Sequence, residues 1–324
     1  DLLSKKITLP FVIHIVGTNG KGSTGRFLAH YLHKKDYKVL HYSSPHIMKF
    51  NERIWINGND VSDENLQDAH KFLQELYPID LLSKLTYFEY TTLLAFYLSK
   101  DFDYLVLEAG LGGEFDATNV VENNLSLITT IGLDHQSFLG NTVSEIAATK
   151  MRSVDNKMLI GYQVFDEVIK TAYKVKEQIL EQRNRNIEII EIKEFEKYNI
   201  NDKFASYLKR NLHLVITCLN ELKIDIDLTL FDDVKLFGRC QKLRSNITID
   251  VGHNPLAAHV IVKEFENKKI TLIYNSYKDK DYEEVLKILK PIIKKIIIIP
   301  LEDKRVVEKK SLLKVIEQLN LLSD

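Results

Sequence analysis

Eight consecutive residues, Gly17-Thr18-Asn19-Gly20-Lys21-Gly22-Ser23-Thr24, stand between a short apolar run and a helical pattern. Glycines let backbone N–H groups close around phosphate oxygens, and the N-terminus of a following helix adds partial positive charge. Lys21 would reach the outer phosphates, and a hydroxyl from Ser23 or Thr24 can ligate Mg²⁺. The spacing departs from the strict G-x-x-x-x-G-K-S/T pattern. The loop before Gly20 is shorter, and Gly22 separates the lysine from the hydroxyls.

Glu108 closes the run Tyr104-Leu105-Val106-Leu107 and is followed by Ala109-Gly110-Leu111-Gly112-Gly113. In an open parallel sheet, ligands gather beyond the carboxyl ends of the strands. An acid there, on a strand near the phosphate loop, is placed to hold a nucleotide's Mg²⁺. His135, in Ile131-Gly132-Leu133-Asp134-His135, again follows a strand pattern and can bind metal through a neutral imidazole. Lys150 ends the helical stretch Glu145-Ile146-Ala147-Ala148-Thr149-Lys150 and by itself reads as a solvated charge. In the C-terminal half, Gly238-Arg239 and Asp250-Val251-Gly252-His253-Asn254-Pro255 combine Arg, Asp, His and Asn, a set suited to gripping a phosphate and a ribose.

The elements that must position these groups alternate. Phe11–Val16, Tyr37–Tyr42, Tyr104–Leu107, Ser126–Ile131 and Met158–Ile160 read as strands. Helical periods cover Phe27–Leu32, Asp63–Tyr77, Thr91–Leu98, Val168–Arg183 and Asn211–Leu222. Strands separated by helices indicate parallel βαβ units in a covered sheet. The aspartate-rich stretch Asp225–Asp233 lacks a helical period and reads as a linker, after which the rhythm restarts with strands at 247–249, 270–274 and 296–299 and helices at 259–265 and 281–289. The expected fold is α/β. An N-terminal P-loop-type, mostly parallel sheet domain (1–228) is followed by a smaller C-terminal Rossmann-like α/β domain (229–324).

Composition narrows the function. In 324 residues, 44 Lys+Arg face 45 Asp+Glu, so no overall basic field exists to hold nucleic acid or an anionic membrane. Two cysteines, Cys218 and Cys240, without a C-x-x-C or Cys/His spacing, argue against a disulfide framework and a structural zinc site. The longest purely apolar run, Leu93–Leu98, is far short of a membrane span, and Asp1–Lys6 lacks the apolar core of a signal peptide. A soluble, cytoplasmic, monomeric enzyme is expected. The first residue is not Met, so a trimmed N-terminus is expected too.

These residues together resemble the bacterial dihydrofolate synthase/folylpolyglutamate synthases, relatives of the Mur ligases. The resemblance runs from His14 to about Leu286. It includes His14–Ser23, Ser43-Ser44-Pro45-His46, Asn51-Glu52-Arg53-Ile54, Phe88-Glu89, Glu108–Gly113, Asp116-Ala117-Thr118-Asn119, Gly132–His135, Gly238-Arg239, Asp250 with His253-Asn254-Pro255, and Asp279-Lys280-Asp281. Gly22 is the family's own variant of the phosphate loop. The resemblance implies ATP, bound through Thr18, Asn19, Gly20, Lys21, Gly22 and Ser23, with Asn211 at the adenine, Arg239 at a phosphate, and Asp250 and His253 at ribose and phosphate. It implies two Mg²⁺ ions, with Ser44, Glu108 and His135 as ligands and Lys150 carbamylated to hold the second. It also implies a folate-side loop containing Pro45, His46 and Arg53.

The implied activity is ATP-driven ligation of L-glutamate to dihydropteroate or a reduced folate through an acyl phosphate, with Lys21, His135 and Lys150 acting in catalysis. A Mur-type ligase on a nucleotide-sugar peptide shares the scaffold, and a small-molecule kinase or nucleotide switch shares the loop. The Ser44-Pro45-His46 segment favours the folate side. Two positions depart from the family pattern: Glu114 stands where the family commonly has Arg, and the usual Lys-Ala-Gly-Ile reads Lys150-Met151-Arg152-Ser153. The chain also ends earlier than family members, so a terminal strand is expected to be missing.

Overall fold

The computed structural model describes residues 3, 5–194 and 198–321. The chain divides into two compact units. One comprises residues up to Phe204 together with Leu208–Lys235; the other comprises Ala205–Tyr207 and the residues from Leu236 onward.

The first unit is built on β1 (Phe11–Val16), α1 (Lys21–Lys34), β2 (Val39–Tyr42), β3 (Ile54–Ile56), β4 (Asn59–Asp60), α2 (Asp63–Leu76), α3 (Ile79–Leu82), α4 (Tyr87–Leu98) and β5 (Tyr104–Glu108). It continues through β6 (Leu125–Ile128), α5 (Gln136–Leu139), α6 (Val143–Met151), β7 (Lys157–Ile160), α7 (Asp166–Arg183), β8 (Glu188–Glu191) and α8 (Ser206–Glu221), whose first two residues group with the second unit. The strands form one sheet in the order β4-β3-β2-β5-β1-β6-β7-β8. From β2 to β8 in that order every neighbouring pair is parallel, and only the β2–β3 and β3–β4 pairs are antiparallel.

Burial explains why the central strands are apolar along their whole length. Helices cover both faces of a parallel sheet, so alternation of polar and apolar residues disappears. In β1 every residue after Phe11 is buried, His14 included. One core joins Val16, Ile128 and Met158 to α6 and α7; another joins Leu40, Leu105 and Leu107 to α2 and α4. Each fully buried Leu or Ile contributes about 1.5–3 kcal/mol, so the strand ends form a firm edge on which loops can be placed.

The aspartate-rich segment read as a linker is docked within the first unit. Phe231, on a 3-10 turn at Leu228–Phe231, packs its ring against Phe27 and Tyr31, while Asp233 pairs with His30 and Lys34. Apart from Ala205–Tyr207, the second unit begins only after Lys235.

The second unit contains β9 (Gln241–Arg244), β10 (Ile247–Ile249), α9 (Pro255–Glu264), β11 (Ile270–Tyr274), α10 (Tyr282–Leu289), β12 (Ile293–Ile298) and α11 (Lys309–Gln318). Its described strands form two separate pairs, β9 with β10 antiparallel and β11 with β12 parallel. Val285, Leu286, Leu289, Ile296, Leu312 and Ile316 make its core.

Candidate active site

Strand register decides which groups meet. In the β1–β5 pair Ile15 stands opposite Glu108, and in the β1–β6 pair Val16 stands opposite Ile128. The phosphate loop, the acid and the segment leading to His135 therefore leave the same carboxyl edge side by side. β2 ends beside β5, Tyr42 opposite Leu107, which brings Ser44 to the same edge. The Ser44 N–H donates to Glu108 Oε2 at 3.3 Å.

The loop is held by its backbone. The N–H groups of Thr18 and Asn19 both donate to the Thr130 carbonyl, and Thr18 Oγ1 bonds with both backbone groups of Gly132. Gly20 precedes α1 with φ +92°, a left-handed conformation, and a side chain there would lie 2.9 Å from Asn211 Oδ1. Only glycine satisfies both conditions. α1 has no side-chain cap, whereas α2, α4 and α6 are capped by Ser62, Thr86 and Thr142. The first N–H groups of α1 are thus left to a ligand, and phosphate suits them. Lys21 Nζ donates back to Gly17 O at 3.1 Å, ready to exchange a carbonyl for a phosphate oxygen. Of the two hydroxyl candidates, Ser23 donates to Gly20 O and accepts from Asn211 Nδ2, while the Thr24 hydroxyl is buried without a partner. Asn211 is buried against the loop.

Lys150 differs from the solvated charge its local sequence announced. α6 opens with a reciprocal capping box, Thr142 with Glu145, and carries Lys150 inward to 4% exposure. Burial pushes the ammonium down to about 7, and the charge of Lys21 acts in the same direction against the opposing pull of Asp134 and Asp116. A buried amine of this kind is available as a neutral nucleophile near neutral pH. His135 sits in a left-handed turn at φ +50°, its Nε2 3.8 Å from Asp134 Oδ1.

Asp116 is held by three donors: the N–H of Leu111, the N–H of Thr118 and the Thr118 hydroxyl. Since that hydroxyl spends its hydrogen on Asp116, the 2.9 Å contact with His14 requires His14 Nε2–H to donate. His14 is accordingly neutral, lowered to about 4 by burial against the opposing charge of Asp116.

A cavity of about 350 Å³ opens beside Asp116, walled by Phe88, Gly113, Phe115, Phe138 and Thr149. Phe115 and Phe138 are 86% and 75% exposed and give the cavity an aromatic lip. Sequence reading missed this cavity. Phe88-Glu89 and Asp116–Asn119 were singled out, but the walls come from segments about sixty residues apart and no spacing links them. On the loop after β2, Ser44–Pro45 is a cis peptide, Arg53 Nε donates to His46 Nδ1 at 2.9 Å, and the Arg53 guanidinium lies over the Tyr87 ring. Glu52 accepts from the N–H groups of Ile47, Met48 and Lys49, which shapes the loop between them.

In the second unit, Asp250 accepts from the N–H groups of Cys240 and Gly252 and from the Tyr207 hydroxyl. Arg239 donates to Gly238 O, His253 Nδ1 contacts Val251 O, and Asn254 caps α9 with Pro255 following. Asp250 to Asn254 lie between β10 and α9, whereas Gly238, Arg239 and Cys240 lie just before β9.

A phosphate loop on a parallel sheet, a strand-end acid beside it and a buried lysine facing it define a Mur-ligase-like scaffold for ATP-dependent acid–amino-acid ligation. Comparison with known proteins makes this specific. The chain is 32% identical to the dihydrofolate synthase/folylpolyglutamate synthase of Haemophilus influenzae, over 88% of this chain and 73% of that protein. It is 34% identical to that of Buchnera aphidicola subsp. Baizongia pistaciae, over 87% and 71%. Among solved structures, Helicobacter pylori folylpolyglutamate synthetase superposes with a TM-score of 0.73 at 39% identity, covering 97% of this chain and 82% of that one. Escherichia coli FolC in complex with DHPP and ADP superposes with a TM-score of 0.85 at 25% identity, covering 100% and 82%. No family model matches the chain. The chain belongs to the dihydrofolate synthase/folylpolyglutamate synthase family of ATP-dependent ligases.

Proposed function

We propose that this enzyme joins L-glutamate to dihydropteroate or a reduced folate, with the pterin seated in the cavity at Phe88, Phe115 and Asp116. The observation that carries the reading is the meeting of the phosphate loop and Glu108 on one strand edge, with the buried Lys150 of α6 within electrostatic range of Lys21. A planar heteroaromatic ring suits aromatic walls, and the substrate's far carboxylate then extends toward the triphosphate.

A carboxylate is a poor acyl donor because its leaving group would be oxide. Its oxygen attacks the γ-phosphorus of ATP and ADP leaves; the glutamate amine then attacks the acyl carbon, inorganic phosphate leaves, and the nitrogen loses a proton to give the amide. The chain's part is placement and charge neutralisation. The backbone N–H groups at Gly20–Ser23 cradle the phosphates, and Lys21 neutralises the transferring phosphoryl. Asn211 faces the adenine.

Mg²⁺ takes oxygen donors, commonly one or two carboxylates completed by phosphate oxygens and water. The Glu108 carboxylate beside Ser44 fits that demand, and the His135 imidazole would add a nitrogen ligand. Such an ion would supply charge neutralisation at the phosphates. The neutral Lys150 amine adds CO₂ and loses a proton, becoming a carbamate whose oxygens can hold a second ion. Pro45, His46 and Arg53 border the acid substrate. The enzyme works as a cytoplasmic monomer; among the described residues no helix is long and apolar enough to cross a membrane.

The test is ADP release. It should require both the pterin acid and L-glutamate for sustained turnover, and should rise with pH as the glutamate ammonium loses its proton. ADP release that ignores glutamate, or a phosphorylated alcohol as product, would overturn the reading in favour of a kinase.

A further inference from the structure

Glu114 and Arg152, far apart in sequence, meet in space. Arg152 Nε lies 2.5 Å from the Glu114 carboxylate, with both side chains half-buried. Arg152 Nη2 also donates to the Thr149 hydroxyl at 3.3 Å. The backbone reinforces the junction: Glu114 N–H donates to Thr149 O at 2.9 Å, and Asn119 Nδ2 donates to Glu114 O at 2.9 Å. At Gly113 the loop comes so close to α6 that a side chain would lie 2.5 Å from the Lys150 carbonyl. The loop after β5 is therefore pinned to the last turn of the helix that carries Lys150.

Both sides of that junction face the chemistry. Gly113, Phe115 and Thr149 wall the cavity, while Lys150, one residue beyond Thr149, buries its amine within range of Asp116 and Lys21. A cation at the C-terminal turn of α6 is also favoured by the helix dipole. We propose that the Glu114–Arg152 ion pair is a positioning clamp that sets the distance between the wall of the acid-substrate cavity and Lys150, a specificity-determining pair for the ligation reaction. The inference rests on reading the cavity as the folate-side pocket. Neither side chain touches the phosphates; both act through Gly113, Phe115 and Thr149.

The test is steady-state kinetics on the full chain with dihydropteroate or a reduced folate. Glu114→Gln and Arg152→Gln should each raise KM for the pterin acid about fivefold and leave KM for ATP within about twofold of the parent. The charge-reversed double variant Glu114→Arg/Arg152→Glu should bring KM for the acid back toward the parent value. Its recovery keeps the test valid even where a single variant folds poorly. An unchanged KM for the acid in both single variants, equal rises in both KM values, or a double variant no better than the worse single one would overturn the clamp. Phe88→Ala separates this from the cavity reading. If it leaves KM for the acid unchanged, the cavity is not the pterin pocket and the clamp falls with it. If it raises that KM while the single variants do not, the clamp alone is wrong.

Discussion

In the proposed reading, the phosphate end of the site is made from eight adjacent residues, 17–24, whose backbone N–H groups and one lysine would bind the phosphates. The cavity end is made from residues contributed between Thr86 and Thr149, brought together by α4, α5, α6 and the loop after β5. The first depends on one turn keeping its conformation, with Gly20 at φ +92°. The second depends on packing between segments, fastened by the Glu114–Arg152 pair and the Asp116 hydrogen bonds. Damage at the phosphate end should therefore abolish catalysis outright, while damage at the cavity end should be graded and specific to the acid substrate.

The largest effect is expected at Lys21. Lys21→Ala should lower kcat by about three orders of magnitude with an unchanged melting curve, measured by ADP release. Near-normal turnover would remove the loop from the mechanism. Lys150→Ala should cost about a hundredfold or more and recover in part when short-chain carboxylates are added; full activity without additive would eliminate the carbamate. Phe88→Ala should raise KM for the pterin acid about tenfold while ATP saturation stays the same, and an equal rise in both would erase the distinction between the two ends.

The smallest effect concerns stability. An unfolded chain holds Lys150 at the ordinary lysine value of 10.5, whereas the folded chain holds it at about 7. Between those values the unfolded state binds more protons, so stability rises with pH across that window, and the burial cost is felt in full below it. Lys150→Met removes that cost. In CO₂-free buffer it should raise the melting temperature by a few degrees at pH 6, and less at pH 9. A larger gain at pH 9 would mean that Lys150 is not buried as a neutral amine.

The same contrast explains what the sequence made legible. β1 was read at its observed limits because its residues are apolar and end at a glycine turn, and the loop was read because all its chemistry is contiguous. The strand-end placement of Glu108 followed from one rule about parallel sheets, and the register confirms it. What escaped needed contacts distant in sequence. Lys150 looked solvated because the capping box that starts α6 and the cluster around Val143 and Ile146 decide which way the helix faces. Asp225–Asp233 looked like a linker because Phe231 is its one aromatic residue, and its partners Phe27 and Tyr31 lie two hundred residues earlier. β8 (Glu188–Glu191) is a polar-ended edge strand with no alternation to reveal it, and β3 and β4 are too short to carry a period. Glu114 and Arg152 were each visible as departures, but their pairing was not.

Oxygen transfer tests the central chemistry most directly. With the reacting carboxylate of the pterin acid labelled with oxygen-18, the account predicts that each molecule of phosphate released during glutamate ligation carries one labelled oxygen, because that oxygen attacks the γ-phosphorus and leaves with it. Phosphate released without label, alongside normal formation of the glutamylated product, would contradict activation through an acyl phosphate.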